Sequence, residues 1–180
     1  MVVSVESTAS PQPSSSRDRG TSWYAVPAEI KQALARIATC WDRPELGDRD
    51  MLRLLADAPR YPEIWVSAYR YFFYSHNTIL ALEVITQLLE WIRQTESLPD
   101  DWDKLYPMLC ERRDDPNIRL YINAYAASGL IQARLGNVEQ AQQIAKHISP
   151  IEHGNEFGGT VIQTILLHSN EEDDDDDDEA

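Results

Sequence analysis

"YAASGLIQARLGNVEQAQQIAKHISP", residues 125–150, decides how this chain is read. It holds no acid cluster, no paired cysteines and no phosphate loop, yet its apolar residues recur with a helical period on both sides of a short break. Gly136 ends one helix and Asn137 caps the next. The second stops before Pro150, because the residue preceding a proline is pushed out of helical geometry. The stretch therefore predicts a helical hairpin.

The same landmarks return in "WVSAYRYFFYSHNTILALEVITQLLEWI", residues 65–92, at a constant offset of 60. Trp65 answers to Tyr125, Tyr69 to Gly129, His76 to Gly136 and Ala81 to Ala141. The spacing has a mechanical sense: a large ring near the start of one helix fills the gap to a neighbour, and an alanine early in the second helix lets the two approach closely. Neither pair buries its apolar face alone, so the pairs must stack.

Working outward, helix follows helix with hardly any strand signal. Pro27 opens a helix expected to run to about Trp41. "RPELGDRD" reads as a break, with Asp48 or Asp50 capping the following "MLRLLADA". Pro62 opens the next helix, to about Ser75, and Asn77 or Thr78 caps another through Ile92. "TESLPDD" reads as a linker, and "WDKLYPMLCERR" as a shorter helix interrupted near Pro107. Asp115 and Pro116 are a cap and a first-turn proline, opening a helix to about Leu135. After a glycine-rich loop, "TVIQTILLH" is a terminal helix or a short strand, with helix favoured because a lone strand has no sheet to join.

The paired pattern resembles the tetratricopeptide repeat, a helix-turn-helix unit of about 34 residues. Tyr125, Gly129, Gly136 and Ala141 fill four of its landmark positions; in the earlier unit Trp65 and Ala81 do, while Tyr69 and His76 replace glycines. Residues 27–59 look like a degenerate earlier pair, and the segment 94–115 makes the array irregular. The resemblance implies an all-α fold, an irregular α-solenoid of antiparallel helix pairs. It also implies binding, because the first helix of each pair lines a concave groove in such repeats. Carried onto this chain, the groove positions are Glu63, Val66, Arg70, Phe73 and Tyr74 in one unit, and Asn123, Ala126, Leu130, Ala133 and Arg134 in the other. Phe73, Tyr74 and Leu130 have an alternative role, packing against the neighbouring pair. The lysine-and-asparagine clamp by which some relatives hold a terminal carboxylate is absent from these positions.

At 180 residues the chain has room for one domain with a real core, and 43% hydrophobic residues is ordinary for a soluble protein. The expected organisation is a disordered leader at residues 1–22, rich in serine and proline, a helical body at 23–168 and a disordered acidic tail at 169–180. No apolar run is long enough for a membrane span. Of the net charge of −14, nine negative charges fall in residues 171–179, which leaves −5 for the rest. That balance disfavours direct binding to nucleic acid. The acidic run is either a solubilising segment or an electrostatic lure for a basic protein. Cys40 and Cys110 lack metal-type or redox spacing; they are expected to be buried thiols in a reducing, cytoplasmic setting.

Signs of chemistry are missing. His76, His147, His153 and His168 never stand three or four residues apart, which disfavours a metal, and "GNEFGG" lacks the lysine and strand of a phosphate loop. The pairs Asp100-Asp101 and Asp114-Asp115 precede helices, where carboxylates cap. The sequence thus predicts no enzyme and no cofactor. It predicts a scaffold, chaperone or assembly adaptor holding a peptide segment of a client, similar in size and architecture to the small tetratricopeptide chaperones of bacterial type III secretion. Two alternatives stand beside it, an acidic-tail chaperone for a basic protein and a structural subunit of a larger complex.

Overall fold

The computed structural model describes residues 26–40, 43–152, 154, 157 and 162. The expected leader and acidic tail, Trp41 and most of the 160–168 segment lie outside these residues. The described part is helical throughout, with no strand. Its elements are α1 (Ala28–Ile37), α2 (Pro44–Asp57), α3 (Pro62–Tyr74), α4 (Thr78–Glu96), α5 (Trp102–Glu111), α6 (Pro116–Arg134) and α7 (Val138–Ile148). α1 packs on α2, α2 on α3, α3 on α4, α4 on α6, and α6 on α7.

The offset of 60 is written into the backbone. α3–α4 and α6–α7 turn through the same motif: His76 and Gly136 both have positive φ, 62° and 77°. Asn77 follows at φ −87°, ψ 66° and Asn137 at φ −84°, ψ 66°. Asn77 N–H donates to Phe72 O and Asn137 N–H to Gln132 O, both at 2.9 Å, while His76 and Gly136 donate to Phe73 O and Ala133 O. This is the Schellman closure, which satisfies the last carbonyls of a helix by a left-handed residue. Glycine adopts that conformation freely; His76 adopts it at some cost.

Beyond the turn the cores correspond. Ala81 and Ala141 are both fully buried, as are Leu88 and Ile148, and the pairs Val84 and Ile144, Ile85 and Ala145 are buried with them. On α4 the stripe Ala81, Val84, Ile85, Leu88, Ile92 follows the helical period and lies between α3 and α6. α6 is buried on several sides, from Ile118 and Tyr121 through Ala126 to Ile131, because α4 and α7 both cover it. Gly129 permits the α6–α7 approach: a Cβ there would come within 2.9 Å of Ile144 and of Ile162.

Several expected boundaries are corrected. "RPELGDRD" is no break: α2 begins at Pro44, with proline in its first turn, and Asp48 lies inside it. Gly47 is tolerated in mid-helix because Tyr71 of α3 lies against its Cα, where any side chain would collide with the phenol. α5 continues through Pro107. α4 extends past Ile92 to Glu96 and ends at Ser97, which has φ 54°. The cysteines are not both buried: Cys40 is half-buried and Cys110 exposed. α5 buries Leu105 and Leu109, four residues apart, which turns Cys110 outward.

Capping follows the expected acids. Asp101 accepts from Lys104 N–H at 3.2 Å, and Asp115 accepts from Asn117 N–H at 2.9 Å. Arg112 pairs with Glu96 and Asp115, and Asn117 Nδ2 donates to Glu96 at 2.7 Å, tying the end of α4 to the start of α6. Burial would raise the Asp115 carboxyl, but the Arg112 guanidinium and the N–H groups of Asn117 and Ile118 hold it below its ordinary range.

Candidate binding groove

α3 and α6 are the first helices of the two equivalent hairpins, and a groove of about 240 Å³ opens between them. Tyr69, Arg70, Phe73 and Tyr74 line it from α3, and Ala127, Leu130 and Ile131 from α6. The i, i+4 pairs Tyr69–Phe73 and Ala127–Ile131 put these residues on facing sides of their helices. The Phe73 and Tyr74 rings meet edge-on, with centroids 5.5 Å apart, and Tyr74 stays 59% exposed, a large aromatic facing water.

Arg134 bridges the two helices. Its guanidinium lies 3.9 Å from the centre of the Phe73 ring, and Nη1 donates to Phe73 O at 2.8 Å. That carbonyl belongs to the last turn of α3, where the helix dipole favours a cation. The guanidinium lies over the Phe73 ring, a cation–π contact combined with a hydrogen bond that lysine reproduces poorly. Burial pushes the Tyr69 phenol above its ordinary range, with Arg70 drawing it part of the way back, so the hydroxyl stays neutral.

Of the positions expected from the repeat pattern, Arg70, Phe73, Tyr74 and Leu130 line this groove and Arg134 stacks on its floor. Val66 and Ala133 are half-buried. Asn123 is exposed, but its Nδ2 donates to Arg119 O on its own helix at 2.8 Å. Glu63 and Ala126 are buried, at 8% and 1% exposure, and present little to a ligand. Tyr69, Ala127 and Ile131 were not among the expected positions. The signal for Tyr69 was its spacing from Phe73, masked by matching it to a glycine landmark.

A second aromatic assembly lies on another side of α6. The Trp102 and His147 rings stack nearly parallel, centroids 3.7 Å apart, and Tyr125 stacks on Trp102 at 5.8 Å. The Tyr125 hydroxyl and His147 Nδ1 are 2.8 Å apart. Its counterpart Trp65 donates from Nε1 to Pro59 O at 2.7 Å. Each landmark ring thus meets the segment preceding its own hairpin. Burial pushes the Tyr125 phenol up to about 12, with Tyr121 adding to the rise and Arg93 opposing it. Burial also lowers the His147 imidazole below its ordinary range.

That pair predicts a pH dependence. The folded state holds His147 below the unfolded value of 6.5, so its contribution is complete above 6.5 and is lost as pH falls toward the folded value. The urea midpoint should drop between about pH 7.5 and 5.5, and His147→Gln, whose side-chain amide can donate or accept toward Tyr125 but does not titrate, should flatten that drop. An unchanged slope would place the titration elsewhere.

Among the described residues no group of three or more His, Cys, Asp or Glu could hold a metal ion, and no helix is long and apolar enough to cross a membrane. The chain is 22% identical over 138 residues to an uncharacterized 19.8 kDa protein in the nifW 5′ region of Azotobacter chroococcum mcd 1, covering 72% of this chain and 77% of that one. No protein-family profile matches the chain, and no solved structure matches it.

Proposed function

We propose that this chain is a non-catalytic protein-binding scaffold, of the chaperone or assembly-adaptor kind, that holds a peptide segment of a partner in the α3–α6 groove of a tetratricopeptide-like array. The observation that carries the reading is an aromatic and aliphatic floor left open between the leading helices of two equivalent hairpins, with Tyr74 exposed beside it. At about 240 Å³ the groove suits one or two anchor side chains of an extended or helical peptide and is small for a cofactor. An exposed thiol at Cys110 suits a reducing compartment, and the cytoplasm is the setting we propose.

A photo-crosslinking residue in place of Tyr74 tests the reading in cells. It should capture a defined partner that the same residue in place of Leu52, exposed on α2, does not. The pair Phe73→Ala and Arg134→Ala should cut capture about tenfold or more while the helical circular dichroism signal stays intact. Equal capture from both positions would remove the groove from the function.

A further inference from the structure

The groove carries two cations without acids. Among the described residues Arg49, Arg53, Arg93 and Arg112 pair with carboxylates, whereas Arg70 and Arg134 do not. No acidic side chain lines the groove, and the Glu63 carboxylate, on the first turn of α3, is buried. Both arginines are exposed. In a chain of net charge −14 this is a local positive rim around an aromatic floor. Nine carboxylates, at residues 171–179, lie outside the described residues and have no part in the groove's proposed binding of a client.

We propose that this acidic run is an intramolecular occupant of the α3–α6 groove, its carboxylates meeting Arg70 and Arg134 and competing with any other segment for the same rim. The proposal rests on the groove reading above but requires no external partner. Chain length permits it. Ile162 is buried, close enough to α6 that its side chain would abut a Cβ at Gly129. Eight residues lie between Ile162 and Glu171, and the nine extended steps from one to the other reach up to about 30 Å. The groove lies around the same helix, whose width with side chains is roughly 10–12 Å. Exposed ion pairs are individually weak, but a short tether supplies an effective concentration on the order of millimolar, enough to populate a weak contact. The contact must then fade with salt, because at about 1 M the screening length is only ~3 Å.

The purified full-length protein tests this without a client. With a photo-crosslinker in place of Tyr74, mass spectrometry should find intramolecular links to residues 171–179 at low salt. Their yield should fall at least about fivefold near 1 M salt and in Arg70→Glu, an exposed substitution that leaves the fold unchanged. Replacing residues 171–179 by their amides should abolish the links. Absence of links at low salt, or equal yield from a crosslinker in place of Leu52, overturns the proposal while leaving client capture in cells untouched. Links that appear only between chains, rising with protein concentration, also overturn it and give the groove to the run of a second copy.

Discussion

Phe72→Ala should destabilise the fold by about 3–5 kcal/mol, whereas Phe73→Ala, one residue on, should cost about 1 kcal/mol and act instead on the client capture proposed for the groove. The two rings are chemically identical, and helix phase separates their roles. Phe72 is fully buried and meets Tyr71 edge-on, centroids 5.3 Å apart, so truncation leaves a cavity that packed helices fill only in part. Phe73 floors the groove beneath Arg134, half-exposed, so its loss removes mainly the ring–guanidinium contact. Against a typical total of about 5–15 kcal/mol, the first change brings the domain close to unfolding at ordinary temperature. Urea unfolding of both variants measures the difference. Equal losses would mean that Phe73 is a core residue and the groove a packing defect.

The hairpins were legible in the sequence because the residues that define them act locally. Gly136 marked a left-handed turn whose geometry His76 copies, and Asn77, Asn137, Ala81 and Ala141 kept the same spacing. Where reading failed, a distant residue had overridden a local rule. "RPELGDRD" looked like a break, yet Gly47 within it is the opening against which the Tyr71 phenol, 24 residues away, comes to rest. Pro107 deletes one helical hydrogen bond, and Leu105 and Leu109, anchored in the core on either side of it, keep α5 continuous. Neither the Tyr71 contact nor the core that buries Leu105 and Leu109 can be seen in a local window.

The groove was legible in the aromatic and cationic residues and less so in its exact lining. The resemblance to a repeat predicts which helices line a groove, and Phe73, Tyr74, Arg70 and Leu130 line the one observed. It does not fix the rotation of each helix. On α6 the groove runs along Ala127 and Ile131, while Ala126 turns into the core because α4 and α7 cover that side. The contact of Arg134 with the end of α3 joins positions 61 residues apart and depends on how close α6 stands to it, which no spacing within one helix records.

Ala81→Leu and Ala141→Leu should each destabilise by about 1–3 kcal/mol, and the double variant by nearly the sum. Both alanines are fully buried early in the second helix of their hairpins, where helix axes approach closely and a larger side chain must push them apart. α4 packs on α3 and α6, and α7 packs on α6, so the two sites share one neighbour but belong to separate hairpins. In a stack held by contacts between neighbours, strain at one hairpin is absorbed before it reaches the other. Urea midpoints for the single and double variants measure the coupling. Additivity within about 0.5 kcal/mol supports two equivalent, separable units. If Ala141→Leu is tolerated and Ala81→Leu is not, the shared backbone turn does not carry a shared packing role, and α6–α7 is a copy of α3–α4 in outline alone.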